Sequence, residues 1–264
     1  FNVGITSPAA LQELAESNAK ETGVFLTVLG FGRGNLNDAM MEKISGKGNG
    51  NYHYIDNQTE ARKVLVAEMA GTLVTIAKDV KIQIEFNPAQ VSAYRLIGYE
   101  NRMLKTQDFN DDKKDAGEIG AGHTVTAIYE LVPAGKTIDT PAVDPLKYQR
   151  PTRPLQNQTT SAADTADELL TLKIRYKQPD GDKSTKLEFP ITDNGQAFAA
   201  ATDDFKFAAA VASFGMQLRN SEHQGHTSYS AVEEIAQDGA GADQRGYRAE
   251  FLQLVRQAKA LAGE

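Results

Sequence analysis

The sequence predicts an α/β first third, then a β-rich antiparallel region, then a helical C-terminal segment. Two observations carry this. The run Val24-Phe25-Leu26-Thr27-Val28-Leu29 is apolar almost without a break and closes on Gly30, Gly32 and Gly34. Such a run marks a strand covered on both faces, as in a parallel sheet, with glycines letting the backbone turn away. A run this short is also compatible with a buried helix segment; the flanking glycines and β-branched residues decide for the strand. Helical periodicity on either side completes α/β grammar. From Val80 to Phe86 the residues alternate apolar and polar, which is the pattern of a half-exposed antiparallel strand.

Taken in order, residues 1–6 read as a strand tail and loop. Ser7 and Pro8 open a helix, as cap and first helical residue, with Leu11, Leu14 and Ala15 on its apolar stripe. After the buried strand, Asn37 to Ile44 reads as a second helix and Tyr52 to Ile55 as a short strand. Thr59 is expected to cap a third helix running to about Val74. Val91 to Tyr99 reads as the partner of the Val80–Phe86 strand, and Gly122 to Val132 as a third strand. Leu169–Tyr176 and Ser184–Phe189 flank a turn at Asp180-Gly181 and read as a hairpin. Thr202 or Asp203 caps a helix to Leu218, apolar nearly all round and expected to be buried. Shorter helical patterns follow at Ser228–Ala236 and Tyr247–Ala262. The expected organisation is 1–76 as the C-terminal half of an α/β domain, 77–200 as a β-rich domain with a mobile loop at about 134–167, and 201–264 as helices packed on it. A half sheet exposes an unpaired edge, so self-association of the truncated half-domain is expected.

Composition narrows the function classes. The 264 residues are 41% hydrophobic and carry a formal net charge of −7, which argues against a nucleic-acid binder with its basic stripe. Cysteine is absent, excluding disulfides, thiol catalysis and thiolate metal sites. The chain starts at Phe1 in mid-pattern and reads as a fragment of a longer protein.

Candidate chemistry is sparse. Gly30, Gly32 and Gly34 lack the third glycine of a dinucleotide fingerprint and any Gly-Lys-Ser/Thr, so a tight turn explains them better than a phosphate site. The acidic run Asp108, Asp111, Asp112, Asp115 fails the EF-hand pattern, with Lys113 and Ile119 where Gly and Glu are required. A solvated loop or an irregular cation site remain open for it. His223 and His226 beside Glu222 lack a clear third zinc ligand. His53 and His123 fall in expected strands. No Ser/His/Asp spacing or isolated carboxylate pair points to a hydrolase, so no enzymatic activity is expected. Were there a ligand site, it would be Asp108, Asp111, Asp112, Asp115, Glu118 and His123, taking a carbohydrate or small molecule, because acidic, glycine-rich loops between strands often hold ligands.

Long blocks of this sequence resemble those of a known family. Gly23 to Gly32, Gly48 to Tyr52 and Tyr54 to Asp56 resemble the second half of a von Willebrand factor type A domain. Gly71 to Lys81, Tyr94 to Arg102, Asp108 to Asp112, Asp115 to His123, Phe205 to Gly215 and Tyr247 to Leu252 resemble the bacterial YfbK-like proteins, a predicted lipoprotein family. The resemblance implies a doubly wound parallel sheet in the first part. It also implies a cell-envelope scaffold whose parent, anchored by a lipid signal upstream, engages a protein partner through Mg²⁺ or another divalent cation. The adhesion-site loops of that family have no counterpart here, so it assigns no metal ligand and no cofactor to this chain.

Overall fold

The computed structural model describes residues 7–32, 34, 36–136 and 167–264; the expected strand tail at 1–6 and nearly all of the expected loop at 134–167 lie outside the described residues. The chain forms two units, each gathered from three stretches. The first takes Phe1–Ile84, Leu104–Val125 and Leu172–Phe189; the second takes Glu85–Met103, Thr126–Thr171 and Pro190–Glu264. The architecture is mixed α/β with several small sheets and C-terminal helices.

In the first unit α1 (Pro8–Thr22) starts on Pro8 after an extended Ser7, whose side chain makes no capping bond, and ends at Gly23 with φ +67°. The run Val24–Leu29 is not a strand throughout. Strand β1 is Val28–Phe31, paired in parallel with β2 (Tyr52–Ile55), while Val24 is 62% and Leu26 40% exposed. The cause is local. After α2 (Asp38–Lys47, capped by Asn37 accepting from Met40 N) the chain turns back, and the Leu26 N–H donates to Gly48 C=O and Val28 N–H to Asn51 C=O. A β-carbon on Gly50 would stand 2.1 Å from the Leu26 carbonyl oxygen, so only glycine permits this approach.

The expected helix 59–74 is broken in three. α3 (Gln58–Arg62) is capped not by Thr59 but by Asn57, whose Oδ1 accepts from Glu60 N at 2.9 Å. A wider π turn, Lys63–Ala67, follows, with Glu68 N–H reaching Lys63 C=O, and then α4 (Met69–Leu73). The crowding of β-branched Val64 and Val66 works against a regular continuation there.

Strand β3 (Thr75–Phe86) begins before the alternating run, and β4 (Val91–Ile97) does not pair with it. Its partner on one side is β5 (Gly117–Gly120), antiparallel, and on the other β7 (Glu168–Lys177), with β8 (Thr185–Thr192) beyond, giving the order β5-β3-β7-β8. The turn between β7 and β8 closes with Gly181 N–H on Gln178 C=O, where the sequence places it. β4 pairs antiparallel with β6 (Ile128–Pro133), which begins at Ile128 rather than Gly122, leaving His123 in a turn bonded to Gly120 C=O. Neither a second face to the β1–β2 pair nor a doubly wound sheet is seen among the described residues.

In the second unit three helices carry the core. Thr202 caps α5 (Asp203–Leu218), Ser228 caps α6 (Tyr229–Asp238), and α7 (Tyr247–Ala262) starts from Gly246 at φ +74°. Ala210, Val232, Ala236, Leu252 and Val255 form the buried cluster, with Phe207, Phe214 and Phe251 packed edge-on around it. α5 is not buried all round. Phe205, Val211 and Leu218 are exposed, because helices on one side leave the opposite face to solvent. Val255 is fully buried and Leu261 is 90% exposed. Val255→Ala is therefore expected to cost about 2–3 kcal/mol in urea unfolding, from lost burial plus a residual cavity, against less than about 0.5 kcal/mol for Leu261→Ala.

Candidate functional site

The polar centre of the first unit forms where β3 departs from regular pairing. Its ladder with β5 shifts register between Thr75 and Ala77 and again between Ala77 and Val80. Asp79 sits in this irregularity with φ +51°, a conformation that Asp tolerates better than most residues. The bulge turns its carboxylate towards β5 and β7: Oδ1 accepts the Ala116 N–H at 3.2 Å, and Oδ2 accepts the Lys177 ammonium at 2.5 Å.

Two buried lysines and an arginine from adjacent strands hold the acidic loop. Lys177, 8% exposed, also donates to the Asp112 carbonyl at 2.7 Å. Lys81, only 2% exposed, donates to the Asp111 carbonyl, and burial pushes its ammonium below the ordinary lysine range. The Asp112 carboxylate takes the Ser184 hydroxyl at 2.5 Å and an Arg175 Nη at 2.7 Å; these hold it down to about 2, the serine contributing most. Backbone carbonyls in the loop thus solvate cations that the sheet has taken out of water.

Beside this clamp the carboxylates of Asp79, Asp115 and Glu118 lie within 4.8 Å of one another. Oxygens at this spacing are what a hard divalent cation uses, so these three are the residues that could hold one. Their other partners work against it. Asp79 is neutralised by Lys177, and Glu118 accepts an amide hydrogen from Asn49 at 3.3 Å. Burial, then the charges of Asp115 and Asp79, raises Glu118 to about 8, so at neutral pH it holds its proton. Asp115 is also pushed up, by desolvation first and then by Asp79. One lysine and one retained proton offset two of the three carboxylates, and the charge of Lys20 acts on Asp115.

The sequence-expected site is divided by this arrangement. Asp115 and Glu118 come together, joined by Asp79. Asp112 belongs to the clamp beside them. Asp108 and Asp111 serve the loop itself, Asp108 facing Lys114 at 3.9 Å and Asp111 accepting from Lys113 N. His123 lies in its turn outside the cluster; its imidazole is not among the grouped ligands. His53 sits in β2, where burial lowers its imidazole, as an ordinary sheet residue would behave. His223 pairs with Glu222 at 3.4 Å, and its carbonyl accepts from Arg95. Sequence reading missed Asp79, Lys81, Arg175, Lys177, Ser184 and Asn49. A signal was present: Lys173, Arg175 and Lys177 alternate on one face of a strand, and cations there need buried acceptors.

These features define a mixed α/β protein in which an acidic loop is locked to a sheet by buried cations. The family model described as "Uncharacterized protein YfbK, C-terminal" matches residues 71–261. A protein of Escherichia coli (strain K12) named "Uncharacterized protein YfbK" is 45% identical over 255 residues, which is 97% of this chain and 42% of that protein. The chain belongs to the YfbK C-terminal family. It spans less than half the length of that relative, and no solved structure matches it.

Removing one side of the clamp leaves a buried charge alone. Asp79→Ala is expected to destabilise the protein by about 3–5 kcal/mol in denaturant unfolding, because Lys177 then loses its counter-ion. Glu118 adds a pH dependence of determined sign. Its folded pKa lies above the unfolded value, so the stability tied to its proton is complete below about 4.3 and is lost as pH rises through about 8. Wild-type stability should fall between pH 5 and 8, and Glu118→Gln should flatten that slope in a melting-temperature series.

Proposed function

We propose that the whole protein is a non-enzymatic binding or scaffold protein of the bacterial cell envelope, held there by a lipid anchor. In this reading a divalent cation bound outside this chain engages an acidic side chain of a protein partner. The chain described here supplies the two units that follow the cation-binding face. The observation that carries the reading is the state of the Asp108–Glu118 carboxylates. Asp112 is taken up by Arg175 and Ser184 and Glu118 by Asn49, while Lys177 holds the neighbouring Asp79 carboxylate and the Asp112 carbonyl, as expected for a structural clamp rather than an open ligand site. Family membership and the resemblance of residues 23–56 to a von Willebrand A-type half support the rest.

One observation favours a second reading, a carbohydrate- or small-molecule-processing β domain. Glu118 keeps its proton at neutral pH beside two further carboxyls, which is how a general acid is prepared. Binding of a neutral oligosaccharide that Glu118→Gln abolishes would decide for it.

The leading reading is tested by affinity capture from envelope extracts with the full-length protein, with Mg²⁺ and with a chelator. The expected outcome is a partner set retained with Mg²⁺ and lost with chelator. The same partners under both conditions would remove the cation from the account.

A further inference from the structure

Among the described residues strand β8 ends its sheet, with β7 as its one neighbour in the order β5-β3-β7-β8. All eight residues of Thr185–Thr192 are exposed. Pro190 lies within it, and a proline has no N–H to give the ladder, so residue 190 must direct its amide position away from β7. Hydrogen-bonding direction alternates along a strand. Lys186 and Glu188 therefore also point their main-chain groups outward, while Leu187 and Phe189 bond inward. Lys186 and Glu188 are equally exposed, at 47%, and in one chain they pair with each other at 2.8 Å. On the other face Leu187 and Phe189 are 39% and 44% exposed.

We infer that β8 pairs antiparallel with β8 of a second copy, about a two-fold axis through Leu187. Charge selects both the occupant and the register. With the axis at Lys186, lysine meets lysine; with the axis at Glu188, glutamate meets glutamate; directly opposed like charges disfavour both. With the axis at Leu187, Lys186 of each copy lies opposite Glu188 of the other. Each such pair presents outward N–H and C=O groups that can form both main-chain hydrogen bonds of a closely bonded antiparallel pair. The intrachain Lys186–Glu188 ion pair is exchanged for ion pairs across the two-fold, and Leu187 meets its symmetry mate on the other face. Pro190 limits the pairing beyond Glu188, so the shared edge is short and the dimer weak, below the area typical of stable complexes.

Sedimentation equilibrium on the 264-residue chain, in a concentration series reaching the millimolar range, tests this. The expected result is a monomer–dimer equilibrium. Lys186→Glu and Glu188→Lys should each weaken it by about tenfold or more, since each places like charges opposite one another twice. The double variant, K186E with E188K, restores opposite charges and should return association to within about threefold of wild type. A wild-type chain that stays monomeric throughout would overturn the proposal. So would single reversals without effect, or a double variant no better than the singles.

Discussion

The Lys177 ammonium is the contact on which the first unit turns. It sits almost out of water between the Asp79 carboxylate and the Asp112 carbonyl, and so ties together a bulge on β3, the loop after Asn110 and the strand β7. A buried cation tolerates few arrangements: every oxygen around it must stay in place or the cost of desolvation returns. That requirement explains why Asp79 adopts a left-handed backbone conformation and why β3 breaks its ladder with β5 at this point. It also explains why so acidic a loop is not simply a solvated surface. Its carbonyls, more than its carboxylates, are what the sheet uses.

The carboxyl cluster beside the clamp follows from the same geometry. Once Lys177 has neutralised Asp79, Asp115 and Glu118 remain close together, with the charge of Lys20 acting on Asp115. Retaining a proton on Glu118 is the cheaper solution. These carboxyls are thus engaged by Lys177, Asn49 and a retained proton, and the binding reading of the protein rests on that engagement.

Local signals were legible in the sequence where one element decided the outcome. The start of α7 at Tyr247, the Thr202 and Ser228 caps and the turn before Gly181 all follow from short-range chemistry. What the sequence hid was pairing. Alternation identifies β3 and β4 as strands but says nothing of partners, and the short, glycine-bounded β5 offers too little pattern to compete for β3 on paper. The expected acidic site was half legible for the same reason. Asp115 and Glu118 stand close together in the chain, whereas Asp79 and Lys177 reach them only through the sheet. The Val24–Leu29 run misled in the opposite direction. Its apolar character is real, but Gly48 and Gly50 draw its first half into a turn contact before the strand begins.

Each unit is assembled from stretches separated along the chain, the first needing residues from before Ile84 and from as far on as Leu172–Phe189. This has a consequence during synthesis. As the nascent chain leaves the ribosome, β3 emerges long before β7, so Asp79 waits for Lys177 while the intervening residues are translated. The clamp can close only late, and until then β3 lacks its β7 partner and has an open edge. Premature termination anywhere before β7 would leave that edge permanently unpaired, a species that quality-control proteases and chaperones should treat as unfinished.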